Sequence, residues 1–157
     1  MATAQFGRVI TAMITPFTED GAVDYESAVA LAKHLVAHGS EGLLVGGTTG
    51  EGATMTAEEK LKLYTLIVDA VGKRGEGKKV PVMGNIGTIS TADTIAFGNK
   101  AKETGIDCAL VIVPFYVKPN QEGMYQHFTA VAKGVDLPLV LYNVPGRTGV
   151  SIQPETI

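Results

Sequence analysis

Residues 46–52 form a glycine-rich segment that could bind a small organic acid. Four of the seven residues are glycine, and Thr48 and Thr49 lie among them. Glycine allows successive backbone N–H groups to converge on an anion, and the two hydroxyls add further donors. The lysine and the spacing of a nucleotide-binding P-loop are absent. The segment therefore favours a carboxylate over a phosphate, although a tight turn without any ligand could use the same glycines.

A second segment, residues 142–149 (YNVPGRTG), carries an arginine and a tyrosine. Arg147 is one of three arginines against ten lysines. Its planar guanidinium suits two-point binding of a carboxylate, whereas an ion pair with a surface acid is the simpler alternative. Tyr142 ends an apolar run, and Pro145 stiffens the loop that we expect to follow.

Hydroxyl groups follow three of the apolar runs. Thr48, Tyr116 and Tyr142 each come at or just after the end of a run. If these runs are parallel strands, the three side chains share the carboxyl edge of one sheet, where α/β proteins place their active sites. The three hydroxyls could then pass a proton among themselves. Considered alone, Tyr116 is more typical of an interface or a packed loop.

The elements that would position these residues alternate regularly. Five short apolar runs (residues 9–14, 42–45, 80–83, 109–113 and 137–141) predict buried strands, and amphipathic helical patterns separate them. Helix starts are predicted at Asp24, at Thr56 with Glu59, at Ser90 with Asp93, and near Asn120, and Pro154 could open a fifth helix. This order predicts a parallel sheet within one domain, residues 1–157. The sheet is either doubly wound or an arc of a (β/α)8 barrel, which needs about 250 residues.

Composition excludes several classes of protein. The net charge is −3 and no basic stripe occurs, so nucleic acid is not an expected partner. The single cysteine excludes an internal disulfide and fits a reducing compartment. No apolar stretch approaches the roughly 20 residues of a membrane span, and no signal segment is recognisable. We expect a cytoplasmic protein without a membrane partner. His34 and His38 could share a metal, but no acid or cysteine completes a ligand set.

Five motifs together resemble the dihydrodipicolinate synthase family. They are TPF at 15–17, GTTGE at 47–51, PFY at 114–116, QEG with YQHF at 121–128, and YNVP with RTG at 142–149. The resemblance runs from about Phe6 to Ile157, in the family's order. It implies a (β/α)8 TIM barrel, of which this chain would supply about the first five βα units.

The resemblance also implies an activity and a set of roles. Pyruvate would form an imine with a lysine, become an enamine and attack aspartate semialdehyde, giving 4-hydroxy-tetrahydrodipicolinate in lysine biosynthesis. Thr49 would hold the pyruvate carboxylate, and Tyr142 would move protons. Thr48 would link Tyr142 to Tyr116, which in the family reaches in from a neighbouring subunit. Arg147 would receive the carboxylate of the semialdehyde. No metal or organic cofactor is implied, and a homo-oligomer (in the family a tetramer built as a dimer of dimers) is expected.

Two departures from the family pattern qualify this expectation. The family places its imine-forming lysine at the end of the sixth strand, a short distance past Ile157, and no lysine present replaces it convincingly. We therefore expect the amino-terminal portion of an enzyme. The alternatives are a non-catalytic half-barrel, a carboxylate-binding module, or an N-acetylneuraminate or keto-sugar-acid lyase, although those lyases usually lack the arginine. The second departure concerns feedback inhibition by lysine. The positions of the family's regulatory pocket hold Gly52, Ala57, Lys60, Ile89 and Phe115, where histidines, an asparagine and a tyrosine are common in lysine-inhibited members, so this inhibition is not implied by the resemblance.

Overall fold

The computed structural model describes residues 6–73, 75 and 77–157, and in them strands and helices alternate along the chain. The elements are β1 (Ile10–Ala12), α1 (Tyr25–Ala37), β2 (Gly42–Val45), α2 (Ala57–Val71), β3 (Val82–Asn85), α3 (Thr91–Glu103), β4 (Cys108–Ile112), α4 (Gln121–Gly134), β5 (Leu139–Tyr142) and α5 (Pro145–Thr148), followed by a 3₁₀ turn, Pro154–Thr156. Within this part of the chain, no helix has both the length and the apolar character needed to cross a bilayer.

The five strands form one parallel sheet in the order β1-β2-β3-β4-β5. A doubly wound sheet would reverse its strand order part-way, because its chain turns back from the first strand. The sequential order instead belongs to a curled half-barrel, the first five units of a (β/α)8 barrel. It decides between the two architectures that the sequence left open.

Local hydrogen bonds fix the helix starts where the sequence predicts them. The Asp24 carboxylate accepts from Ser27 N, and Ser90 Oγ accepts from Asp93 N. Thr56 and Glu59 form a complete capping box at the start of α2. At α4 the side chain of Asn120 accepts from Gly123 N. All four predicted caps are confirmed, since each depends on side chains within three residues of the cap.

The predicted strand limits are less accurate. The third strand was predicted at residues 80–83 but spans Val82–Asn85. Val80 N donates to Val71 O, so this residue follows the end of α2 instead of pairing in the sheet. The fifth strand is shifted in the same direction and ends at Tyr142. The loop predicted after it contains one helical turn, α5, in which the N–H groups of Arg147 and Thr148 donate to Val144 O.

The sheet has two different faces. On the helix side, Leu43, Val82 and Val111 are fully buried against the helices. The opposite side, here called the inner face, carries a smaller apolar cluster made of Phe6, Leu44, Met83, Cys108, Leu110, Val140 and Tyr142. Near β1, Ile10 is 40% exposed and Ile14 is 56% exposed. The core of the described residues therefore lies between sheet and helices, and the inner face is only partly covered.

Candidate functional site

The predicted site residues share the carboxyl edge of the sheet. Because all five strands are parallel, the segments that follow β2, β4 and β5 lie at the same edge. Thr48 and Thr49 follow β2, Tyr116 follows β4, Tyr142 is the last residue of β5, and Arg147 lies in α5. The edge on which the predicted chemistry depends is therefore present.

The segment carrying the two threonines is a compact turn. Gly46 has φ +65°, in the left-handed region that glycine adopts readily. Gly52 N donates to Gly47 O over 3.1 Å, and Thr15 Oγ1 donates to Gly50 O over 2.6 Å. One hydrogen bond within the turn and one from Thr15, which follows β1, thus hold the backbone in place. Thr48 and Thr49 remain exposed at the edge, where their hydroxyls can meet a ligand.

Asn85, which is not among the predicted site residues, holds this turn. Its Nδ2 donates to Gly46 O over 3.0 Å, and its Oδ1 accepts from Gly87 N over 3.3 Å. Its backbone oxygen accepts from the hydroxyl of Tyr64 over 2.7 Å. The third strand was predicted to stop at Met83, which left Asn85 outside it. The polar residue flanked by Gly84 and Gly87 directly after an apolar run was the available signal.

Tyr142 belongs to the inner face. Its side chain packs beside the cluster that contains Met83 and Leu110 and is half-buried. Its backbone pairs with Ile112, and its carbonyl oxygen accepts from Val113 N over 3.0 Å. Because Tyr142 belongs to a strand, its backbone is fixed at the carboxyl edge of the sheet. A fixed position suits a hydroxyl that transfers protons to and from a substrate.

Tyr116 differs sharply from Tyr142. It is 85% exposed and has φ +65°, a conformation that is uncommon for a residue with a side chain. Lys118 is also in the left-handed region, with φ +46°. Within the described residues, no hydrogen bond joins the hydroxyls of Thr48, Tyr116 and Tyr142. The proton relay among them stays a prediction.

Arg147 is exposed on the single turn of α5. The next residue, Thr148, is buried and donates from Oγ1 to Val150 O over 2.7 Å. Asn143 closes the same loop by accepting from Ile152 N and donating to Ser151 Oγ. In the described part of the chain, no acidic side chain forms an ion pair with Arg147. The alternative of a surface ion pair is therefore not supported, and the guanidinium is available to a ligand.

A cavity of about 370 Å³ adjoins the threonine turn. Its lining includes Thr48, Asn85 and Lys60. Four of the five positions assigned to the regulatory pocket also line it, namely Gly52, Lys60, Ile89 and Phe115, whereas Ala57 does not. Lys60 Nζ lies 4.6 Å from the centroid of the Phe97 ring, and burial lowers the pKa of Lys60. Lys60 lies in α2, and its partial burial is not visible in the sequence pattern.

The histidines and the cysteine are not brought into the site. His127 is a buried residue of α4, and its Nδ1 lies 2.8 Å from Thr91 Oγ1. Cys108 is a core residue, and burial, with a contribution from Asp107, raises the pKa of its thiol to about 12. His34 and His38 stack with ring centroids 4.0 Å apart. Among the described residues, no cluster of three potential metal ligands occurs.

Comparison with known proteins supplies the family. The sequence profile of the dihydrodipicolinate synthetase family matches residues 5–157. The chain belongs to this family. A 4-hydroxy-tetrahydrodipicolinate synthase from Symbiobacterium thermophilum is 55% identical over 151 residues, which cover 96% of this chain and 50% of that protein. One from Heliobacterium modesticaldum is 52% identical, over 98% of this chain and 49% of its own length.

Solved structures agree with the fold. A dihydrodipicolinate synthase from Bacillus anthracis has a TM-score of 0.91 and 45% identity, over 97% of this chain and 50% of its own. A family member from Cyanidioschyzon merolae, solved with lysine bound, also has a TM-score of 0.91 and 45% identity, over 96% of this chain and 50% of its own. The chain thus spans about half the length of the relatives that it matches.

Proposed function

We propose that this chain is the amino-terminal portion of a pyruvate-dependent Schiff-base lyase. The enzyme would condense pyruvate with aspartate semialdehyde to 4-hydroxy-tetrahydrodipicolinate, in the biosynthesis of diaminopimelate and lysine. One observation carries the proposal: in a member of this family, the threonine turn, Tyr142 and Arg147 lie at one carboxyl edge of the sheet. The exposed threonines, and an arginine that forms no ion pair with the residues the structure describes, match two carboxylate-bearing substrates.

The proposed roles follow from the chemistry of each group. The hydroxyl and the backbone N–H of Thr49 would bind the pyruvate carboxylate, and Thr48 would hydrogen-bond to Tyr142. The ketone of pyruvate condenses with a lysine amine, releasing water, and loss of a methyl proton gives the enamine. The enamine carbon then bonds to the aldehyde carbon of the semialdehyde, and the aldehyde oxygen takes up a proton by way of Tyr142 to become the hydroxyl. The amino group of the semialdehyde loses a proton and attacks the imine carbon, which closes the ring and releases the lysine amine. Arg147 would orient the second substrate through its carboxylate.

The amine for this reaction is proposed to come from outside residues 1–157. A nucleophilic lysine must be partly neutral near pH 7, which needs burial or a neighbouring charge. Lys118 lies at the correct edge but is exposed. Partial burial lowers the pKa of Lys60, but its ammonium lies over the face of Phe97, a contact that favours the charged form. Neither residue meets the requirement as well as a lysine supplied by a further strand would.

Tyr116 supports a proposal about assembly. A strained tyrosine that is 85% exposed is followed by Val117, which is 57% exposed. Neither exposure nor strain is favourable for an isolated chain, and contact with a second subunit would account for both. We propose a homo-oligomer in which Tyr116 reaches a neighbouring site. We also propose a cytoplasmic location and no metal or organic cofactor.

The experiment is a covalent trap. Residues 1–157 are joined to the second half of the Symbiobacterium relative, and the chimera is treated with pyruvate and borohydride and then weighed. The expected result is one reduced pyruvate adduct on a lysine of the supplied half, with none on this chain alone. Failure of the chimera to form an adduct under conditions where the whole relative does would overturn the proposal. An adduct on Lys60 or Lys118 would overturn the expected source of the amine.

Two variants of the chimera separate the roles. Tyr142→Phe should slow product formation by about 10²-fold or more, the usual effect of losing a proton-transfer group. Tyr25→Phe, which removes the hydroxyl of a tyrosine outside the lining of the cavity beside the threonine turn, is the matched control. Arg147→Ala should weaken the use of aspartate semialdehyde without affecting the pyruvate adduct. Cleavage of N-acetylneuraminate or keto-sugar acids in preference to the condensation would favour the related lyases instead.

A further inference from the structure

We propose that Asn85 is a positioning residue for the turn that binds the pyruvate carboxylate. This inference rests on the proposed function, because it concerns how the same site is held in shape. Asn85 ends β3 and pairs with Leu110, a member of the inner-face cluster. Its side chain therefore stands on the inner face at the carboxyl edge. It lines the same cavity as Thr48.

The two ends of the Asn85 amide bind two different loops. Nδ2 donates to Gly46 O, 39 residues away in the chain, and Oδ1 accepts from Gly87 N. One planar group thus ties the loop after β2 to the loop after β3. Only a side chain with a donor and an acceptor at a fixed spacing can make this link, and the amide of asparagine provides both.

The link acts at the point where the threonine turn begins. Gly46 O belongs to the peptide unit that also contains the N–H of Gly47, so fixing the oxygen fixes the plane of that unit. Gly46 has no side chain to limit its rotation and lies in the left-handed region, with φ +65°. Without the amide of Asn85, the orientation of the turn that carries Thr48 and Thr49 would depend on the bonds further along it.

Asn85 is itself held independently of its side chain. The hydroxyl of Tyr64, which is fully buried, donates to Asn85 O over 2.7 Å. Tyr64 also lies close under the turn, because a Cβ added to Gly46 would come 2.8 Å from its hydroxyl oxygen. A substitution of the Asn85 side chain leaves the Tyr64 hydrogen bond in place. The effect of the side-chain link can therefore be measured separately from the support of the strand.

The test compares Asn85→Asp with Asn99→Asp in the chimera. Both variants replace one amide nitrogen by oxygen and remove a bond to a carbonyl, since Asn99 Nδ2 donates to Gly134 O over 3.1 Å. Asn99 is exposed on α3, at the opposite end of the helical layer from the site. In Asn85→Asp and in the uncharged Asn85→Ala alike, the pyruvate concentration that gives half-maximal trapping should rise about tenfold, the effect of losing about one such bond. A rise in Asn85→Asp alone would come from the added charge and would overturn the proposal. The maximal amount of adduct should stay unchanged, and Asn99→Asp should stay within about twofold of the parent.

Unchanged half-saturation in Asn85→Asp would overturn the proposal, and so would a loss of maximal adduct at unchanged half-saturation. If Asn85→Asp does not fold, Asn85→Ala removes the link without adding charge and is judged by the same criterion. If the parent chimera gives no adduct, the proposed function has failed, and Asn85 is then judged by amide hydrogen exchange. In that case, faster exchange in residues 46–52 for Asn85→Asp but not for Asn99→Asp supports the link, and equal exchange refutes it.

Discussion

Replacing Gly52 by alanine should unfold the threonine turn, because no space exists for a side chain there. A Cβ on Gly52 would lie 1.8 Å from Gly46 O and 2.7 Å from the Gly46 carbonyl carbon. Contacts of a Cβ closer than 3.0 Å are essentially never seen in proteins. The two backbone segments must therefore separate by about 1 Å or more, which is more than small bond-angle changes can supply.

The energetic cost follows from the bonds that such a separation breaks. Gly46 O accepts from Asn85 Nδ2 over 3.0 Å, and Gly52 N donates to Gly47 O over 3.1 Å. Each hydrogen bond contributes about 1 kcal/mol net, so their joint loss with residual strain costs about 2–3 kcal/mol. For a domain of this size, that corresponds to a decrease in Tm of about 5–10 °C.

The assay is thermal and urea denaturation of the chain followed by circular dichroism. The control is Gly146→Ala, because a Cβ there meets no atom within 4 Å and Gly146 does not have a positive φ. The control should change the free energy of unfolding by less than about 0.5 kcal/mol. A Tm for Gly52→Ala within about 2 °C of that of Gly146→Ala would show that the turn yields without cost, and the reasoning from its close contacts would then be wrong.

Three further predictions concern titration, reactivity and regulation. Burial lowers the pKa of His127, so the unfolded chain takes up the proton more readily, and the free energy of unfolding should fall as the pH drops below about 6.5. Urea titrations between about pH 5.5 and 7.5 should show this slope, and its persistence in His127→Gln would contradict the assignment. Cys108 is fully buried and its pKa is raised to about 12, so a thiol reagent should label it in urea but not in the native chain. The regulatory-pocket positions that line the cavity beside the turn include Lys60, Ile89 and Phe115, which depart from the pattern of the lysine-inhibited members. Lysine should therefore neither raise the Tm of the chimera nor inhibit it, and inhibition at millimolar lysine would refute this.

The helix starts could be predicted from the sequence because the information is local. The side chain of Thr56 accepts from the backbone N–H of Glu59, and the side chain of Glu59 accepts from the backbone N–H of Thr56. These bonds span three residues and do not depend on the rest of the fold. Strand limits depend on partners far away in the chain. Residue 80 has the apolar character of a strand, but its N–H bonds to Val71 at the end of α2, and pairing begins only where Val82 meets Leu43. A pattern of apolar residues does not show whether a residue pairs in the sheet or bonds to the end of a helix.

The difference between local and long-range information also separates the site residues that were predicted from the one that was missed. Thr48, Tyr116 and Tyr142 could be placed at one edge, since parallel strands require it. Asn85 ends a strand and could be placed at the same edge, but its role could not be predicted, because that role arises from a bond to Gly46 in a different βα unit. The left-handed backbone of Tyr116 also leaves no mark in composition or periodicity.

The inner face of the sheet is apolar but only partly covered. Its apolar side chains are as hydrophobic as those on the helix side, so the sequence predicts burial on both faces. In the described residues only the helix side is fully covered, and Ile14 remains 56% exposed. Tyr142 and Asn85 stand on this same inner face. The element that would cover the apolar cluster would therefore also form the opposite wall of the site. The contacts of the turn lie within the described residues, whereas the proposed binding and turnover are tested in the chimera, which supplies an element to cover the inner face.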